Sequence, residues 1–142
     1  MPTRGDRIEA LADTSIAVAL LVEDHERHDA AVDAVGRTAI GFAGHAVFET
    51  YSVLSRLPPP LRRSPNVVGR LLQENFPTNR YLSPAASASL VHQLAGAGVG
   101  GGSVYDALVA SAALESGLPL FTCDRRALPT YRALRVVVSV VE

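Results

Sequence analysis

The chain has 142 residues, 48% of them hydrophobic and 19% charged, and this composition excludes disorder as its main state. A chain of this length can bury a core of its own, so we expect a single domain over residues 1–142. The formal net charge of −1 excludes a global electrostatic attraction to nucleic acid.

The cellular compartment is predicted from cysteine usage and from the absence of targeting signals. Cys123 is the single cysteine, so no intrachain disulfide is possible, and a reducing, cytoplasmic location fits. The N-terminus is polar and shows no signal peptide. The apolar run over residues 16–22 is too short to span a bilayer, so we expect a soluble protein that does not contact a membrane.

The first half of the chain alternates between strand and helix patterns. In chain order we predict a strand over residues 8–13, a helix starting at Thr14, a helix over 26–35, a strand over 38–42 and a helix over about 45–57. Gly36 is suited to ending the second helix. Pro58 ends the third, because proline disfavours helix in the residue before it.

The second half continues the alternation. We predict helices over residues 66–75, 84–95 and 103–116 and strands over 79–82, 119–123 and 135–140. Gly117 is a natural residue to follow the last of these helices. Alternating strands and helices predict an α/β fold, here a three-layer α/β/α sandwich around a mostly parallel central sheet.

Asp13 and Asp124 each follow an apolar run that reads as a strand. In open parallel sheets, sites lie beyond the carboxyl ends of the strands, so two strands that end in aspartate favour a shared site. Each aspartate has an alternative role as the N-cap of the helix that follows, for which aspartate is well suited. Both interpretations remain open from the sequence.

Asp106 and Glu49 lie in strongly apolar helical segments, where an unpaired buried carboxylate is costly. Asp106 has an alternative interpretation as the last residue of a capping box that begins at Ser103. For Glu49 the alternative is an ordinary solvated side chain at the edge of the apolar stripe. If the four carboxylates instead converge, they form an oxygen-only ligand set that suits Mg²⁺ or Mn²⁺ and indicates a metal-dependent hydrolase.

Longer motifs surround these acids. Tyr105-Asp106-Ala107-Leu108 opens one helix, and Thr122-Cys123-Asp124 closes the next strand. They resemble the Tyr-Asp-Ala-Leu helix and the Thr-x-Asp strand of the PIN-domain ribonucleases, most closely the VapC-type toxins of bacterial toxin–antitoxin pairs. Ala12-Asp13-Thr14-Ser15 is similar to that family's first acidic motif, and Phe48-Glu49-Thr50-Tyr51 to its second. The resemblance covers nearly the whole chain.

The resemblance implies an Mg²⁺-dependent or Mn²⁺-dependent endoribonuclease. By position, the residues implied to hold the metal are Asp13, Glu49, Asp106 and Asp124. Ser15 and Thr122 are then expected to orient these carboxylates. The resemblance also implies an RNA substrate, a small cognate antitoxin and a homodimer. Apolar residues near 16–22 and 47–57 are candidates for either protein interface or for the core.

Two other functions stay open at this point. One is a PIN nuclease that processes RNA without an antitoxin. The other is a PIN-like module that binds RNA or protein without cleaving it. The RNA target itself is not encoded in any pattern that the sequence shows.

Several further signals are interpreted as structural. The glycines from 96 to 101 match G-x-G-x-x-G but follow a helical segment, whereas the dinucleotide motif requires a strand there. His25 and His28 lack a third metal ligand nearby in the sequence, and His45, His92 and Cys123 are predicted to be surface, cap or packing residues. The candidates for phosphate contacts are Arg62, Arg63, Arg125 and Arg126, for which solvated surface charge is the alternative.

Overall fold

The structure is a computed structural model that describes residues 7–142. The first six residues, part of the polar N-terminal stretch, lie outside this range. The elements are β1 (Ala10–Ala12), α1 (Thr14–Leu21), α2 (His28–Val35), β2 (Ile40–Phe42), α3 (Ala46–Ser55), α4 (Pro65–Asn75), α5 (Pro84–Ala97), α6 (Ser103–Ser116), β3 (Leu120–Thr122), α7 (Leu128–Ala133) and β4 (Val138–Val140). The predicted fold class is confirmed: helices and a parallel sheet form a three-layer α/β/α sandwich.

The sheet has four parallel strands in the order β2-β1-β3-β4. From β1 the chain first moves outward to β2 and later returns to the other side of β1 with β3. The strand order therefore reverses between β1 and β3, and their carboxyl ends form the crevice where α/β proteins place ligands. Asp13 directly follows β1, and Asp124 lies two residues beyond β3.

The main core lies around the sheet and explains the apolar runs. Ala10, Leu11 and Ala12 of β1 are all buried, as expected of a central parallel strand covered on both faces. Phe42 stacks against Phe76 with ring centroids 4.3 Å apart. Most of the apolar run over residues 16–22 belongs to this core, as one of its two predicted roles required. A smaller cluster of Leu90, Leu94 and Ala107 joins α5 to α6.

The helix ends follow the sequence signals. Ser64 and Ser83 cap α4 and α5, each with a proline in the first helical turn. Gly117 follows α6 in the left-handed conformation, with φ of 68°, as predicted. The glycine run from 96 to 101 starts inside α5, so no strand precedes it and the dinucleotide interpretation fails. No helix within residues 7–142 is long and apolar enough to cross a membrane.

One prediction about the elements was wrong, and one helix was missed. The strand expected over residues 79–82 is reduced to one bridge between Arg80 and Ala43, because the side chain of Asn79 accepts the backbone N–H of Phe42 at 2.7 Å and replaces a strand contact. Helix α7 was not predicted. Its signal is short: Pro129 in the first turn, with Leu128 and Tyr131 spaced to share a buried face.

Gly41 provides a test of the packing at the edge of the sheet. A Cβ at this position in β2 would overlap the carbonyl oxygen of Thr78, so we expect Gly41→Ala to cost about 1–3 kcal/mol of unfolding free energy. Gly69 is the matched control, because it lies on exposed helix α4 with nothing within 4 Å of an added Cβ. Gly69→Ala should gain about 0.5–1 kcal/mol. Urea unfolding measures both, and equal effects would contradict this packing.

Candidate active site

Asp13 is a buried carboxylate, only 3% exposed, at the junction of β1 and α1. Its Oδ1 accepts the backbone N–H of Ile16 at 3.1 Å and the hydroxyl of Ser15 at 2.5 Å. Its Oδ2 accepts the hydroxyl of Tyr131 at 2.9 Å. Asp13 is thus the N-cap of α1, and it also lies at the crevice of the sheet, so the two sequence interpretations describe one residue.

The protonation of Asp13 is set by opposing effects. Burial raises the pKa of its carboxyl group above the ordinary value, while the hydroxyls of Ser15, Thr122 and Tyr131 and the N–H of Ile16 lower it. Asp13 raises the pKa of Tyr131 in turn, after the larger effect of burial. Tyr131 therefore stays a hydrogen-bond donor at neutral pH.

Ser15 and Thr122 join the ends of β1 and β3. The Ser15 hydroxyl accepts the backbone N–H of Cys123 at 2.9 Å while it donates to Asp13. Thr122 Oγ1 accepts the backbone N–H of Asp124 at 3.0 Å and lies 3.3 Å from Ser15 Oγ. These bonds fix the backbone that carries Asp124 relative to Asp13. The role of both hydroxyls in orienting metal-binding carboxylates stays a prediction.

Glu49 lies in the first turn of α3 and is not a freely solvated side chain. Thr14 donates its hydroxyl to Glu49 Oε2 at 2.8 Å, and His45 Nε2 lies 3.6 Å from Oε1. The side chain of Glu49 is 33% exposed. Glu49 is therefore not an ordinary surface glutamate, and His45 occupies the N-cap position of α3, one of the roles predicted for it.

Asp106 lies in the first turn of α6. The helix begins after Gly102 without a side-chain cap, so the capping box proposed from Ser103 does not form. Burial is the largest cause that raises the pKa of the Asp106 carboxyl group, and together with the negative charges of Asp124, Glu49 and Asp13 it brings the pKa to about 6. The charges of the other three acids therefore act on Asp106.

One cavity of about 830 Å³ brings these groups together. Its wall includes three of the predicted acids, Glu49, Asp106 and Asp124. Asp13 lies behind the wall, buried under the strand ends. The cavity is also lined by Thr14, Ser15, Val18, His25, Glu26, Arg27, Gly102, Ser103, Tyr105, Cys123 and Arg126. The volume is within the usual range for ligand sites of about 300–1,000 Å³.

The basic residues around the cavity differ from those predicted. Of the four arginine candidates only Arg126 lines it, with Nε 3.3 Å from Asp124 Oδ1 and a side chain that is 92% exposed. Arg125 instead pairs with Glu142, and Arg62 donates to the carbonyl oxygen of Leu57. Arg27, at the entrance to α2, lines the cavity and was not predicted, because nothing in its local sequence distinguishes it.

The other histidine and cysteine residues show no sign of a metal-binding or nucleophilic role. His28 Nδ1 lies 2.8 Å from the carbonyl oxygen of Ala19, and His25 Nδ1 accepts the N–H of Arg27. Burial raises the pKa of the Cys123 thiol, which disfavours the thiolate needed by a nucleophile. His92 is exposed on α5.

The donor set fits a hard divalent cation in its chemistry. The cavity wall supplies carboxylate oxygens, whose mutual repulsion a cation would offset. Within residues 7–142, no group of three or more His, Cys, Asp or Glu side chains is arranged closely enough to hold an ion by direct contacts alone. Metal binding by these residues stays a prediction.

Comparison with known proteins identifies relatives along nearly the whole chain. Residues 10–133 match the family model for the PIN domain. Ribonuclease VapC27 of Mycobacterium tuberculosis is 45% identical over 128 residues, which cover 90% of this chain and 93% of that protein. Ribonuclease VapC40 of the same species is 45% identical over 130 residues, covering 91% and 96%. No solved structure matches the chain significantly.

The raised pKa of Asp106 predicts how the stability of the metal-free protein depends on pH. The folded state shifts this pKa from 3.8 to about 6, so it binds more protons than the unfolded chain between these values. Unfolding free energy should therefore fall as the pH rises from about 4 to about 6. Asp106→Asn should remove this loss and stabilise the protein at pH 7 by about 1 kcal/mol, after allowance for partial exposure.

Urea unfolding in a chelator, repeated across this pH range, measures the effect. Glu74→Gln is the control, because Glu74 is an exposed acid on α4 outside the residues that line the cavity. A metal-free Asp106→Asn protein that is less stable than the wild type at pH 7 would contradict the predicted repulsion.

Proposed function

Because this chain belongs to the PIN-domain family and, within it, to the VapC-type ribonucleases, we propose that it is a divalent-metal-dependent endoribonuclease. The observation that carries the proposal is the convergence of Glu49, Asp106 and Asp124 on one cavity, with Asp13 buried behind it. The cavity opens at the point where the strand order reverses, which is the usual location for a ligand in this architecture.

Asp13, Glu49, Asp106 and Asp124 are the residues that would hold Mg²⁺ or Mn²⁺. When bound, the metal offsets the charge of the phosphodiester, lowers the pKa of a bound water and stabilises the leaving oxygen. Ser15 and Thr122 hold the strand ends so that the carboxylates keep their positions. Hydrolysis in line with the leaving 3′-oxygen yields a 5′-phosphate and a 3′-hydroxyl.

Arg27 and Arg126 provide positive charge on the cavity wall. The guanidinium of Arg27 lies 3.4 Å from the carbonyl oxygen of Val141, which orients it, and Arg126 pairs with Asp124. In a chain with a net charge of −1, attraction for an anionic backbone has to be local. Both arginines are therefore assigned to contacts with RNA phosphates beside the cut bond, where their planar donors suit phosphate oxygens.

The biological setting that we propose is that of a toxin held inactive by a small cognate antitoxin in the cytoplasm. The support is the identity to VapC-type proteins over at least 93% of their length. A homodimer is part of the same proposal. On α3, Tyr51 is 39% exposed, so this helix retains apolar surface for a partner.

The proposal predicts RNA cleavage that depends on the metal and on the cavity acids. Purified wild-type protein with Mg²⁺ or Mn²⁺ should cut cellular RNA at discrete sites, and a chelator should abolish the cutting. Asp106→Asn should lower the rate by at least about 10²-fold, because it removes charge that positions the cation. Sequencing of the new 5′ ends identifies the target.

Glu74→Gln again serves as the control and should cut at the wild-type rate. Full metal-dependent activity in Asp106→Asn would contradict the assignment of the site. No cutting by folded wild-type protein, with either metal and without antitoxin, would favour a module that binds RNA or protein without cleaving it.

A further inference from the structure

Three aromatic rings form a continuous surface beside the acidic cavity. His45 stacks on Tyr105 with ring centroids 5.4 Å apart and an interplanar angle of 20°. Phe48 lies on the other side of His45, with centroids 6.1 Å apart and the rings tilted by 44°. We call His45, Phe48 and Tyr105 the aromatic shelf. It joins the start of α3 to the start of α6, two elements far apart in sequence.

The shelf residues are neighbours of the acids of the candidate active site. Phe48 and Tyr105 immediately precede Glu49 and Asp106 in the sequence, and Tyr105 itself lines the cavity. His45 lies 3.6 Å from the carboxylate of Glu49. The shelf therefore begins at the cavity wall, at Tyr105, and extends through His45 to Phe48 outside it.

The rings are not needed by the core. Phe48 is 63% exposed and Tyr105 is 53% exposed, and neither belongs to the two apolar clusters of the described residues. Large apolar groups that are exposed next to one another indicate a binding surface more often than isolated ones do. Stacking of His45 on Tyr105 also orders the rings in advance of binding, which lowers the entropic cost of a contact.

We propose that the aromatic shelf binds unpaired bases of the RNA substrate next to the bond that is cut. The proposal rests on the proposed ribonuclease function and adds the three residues that would hold unpaired bases of single-stranded RNA beside the acids. Aromatic rings stack on the face of any base, whereas paired bases in a duplex are covered by their neighbours. Stacking adds affinity that does not depend on charge, beside a cavity wall that carries acids as well as arginines and in a chain with a net charge of −1.

Binding of RNA by ring variants tests the proposal separately from cleavage. We use Asp106→Asn as a non-cleaving background and measure fluorescence anisotropy of a short labelled single-stranded RNA. Phe48→Ala and Tyr105→Leu should each weaken binding roughly 5- to 30-fold, within the range found for base–aromatic stacking. Phe48→Tyr and Tyr105→Phe keep the rings and should bind within about twofold of the background protein. A fully paired duplex of the same sequence should bind weakly to all of them.

Tyr81→Leu is the matched control, because Tyr81 is 57% exposed and has no ring contact with the shelf residues. It should leave the affinity for RNA unchanged. The substituted rings are exposed, so all variants should unfold at the temperature of the background protein. Equal RNA affinity in the ring-removing, ring-keeping and control variants would overturn the proposal and leave the shelf as a contact surface for a protein partner.

Cleavage by the wild-type chain distinguishes this failure from failure of the proposed function. If the wild type cuts RNA and ring removal leaves its affinity unchanged, the shelf assignment alone is wrong. If the wild type binds RNA through the rings but does not cut it with either metal, the ribonuclease assignment is wrong and the shelf stands. Ring removal that weakens duplex binding as much as single-strand binding would contradict the predicted substrate class.

Discussion

The buried carboxylate of Asp13 is the constraint on which the rest of the site depends. A carboxylate with 3% exposure is tolerated only when its oxygens are hydrogen bonded, and its partners come from α1 and from α7, which follows β3. Ser15 connects Asp13 to the end of β3, since its hydroxyl donates to Asp13 and accepts the backbone N–H of Cys123. The position of Asp124 at the end of β3 is therefore tied to Asp13.

The charge balance of the cavity follows from this arrangement. Burial and three neighbouring acids act together on Asp106, so negative charge accumulates where α3, α6 and the strand ends meet. The nearest counter-charge on Asp124 is Arg126, whose side chain is 92% exposed. An ion pair this exposed contributes little to the free energy of unfolding. Arg126 can therefore leave Asp124 and contact a phosphate group at little cost to stability. The fold thus keeps an acidic centre and leaves its basic wall free to contact substrate.

Parts of the site that depend on local pattern were predictable from the sequence. Asp13 and Asp124 follow apolar runs, and a parallel sheet places the carboxyl ends of its strands at one edge. The helix that carries Asp106 was predicted with its observed bounds, because it is apolar and ends at a glycine. The role of all four acids as metal ligands is still a prediction.

Contacts between distant residues were not predictable. Tyr131 lies 118 positions from Asp13, and the helix that brings it there is short enough to escape a search for periodicity. The stacking of His45 on Tyr105 depends on the packing of α3 near α6, which no local pattern encodes. The strand expected over residues 79–82 is absent because a contact with a distant residue overrides the local pattern. Its residues favour a strand locally, but the side chain of Asn79 takes the place of a backbone partner.

Titration of the purified protein with Mn²⁺, followed by the loss of the free-ion electron paramagnetic resonance signal, tests the central claim most directly. The account predicts saturable binding to the wild type and to Glu74→Gln, and at least about 10-fold weaker binding to Asp106→Asn and to Glu49→Gln. Equal Mn²⁺ binding by all four proteins, or no saturable binding to the wild type, would contradict the claim that these carboxylates form a metal centre.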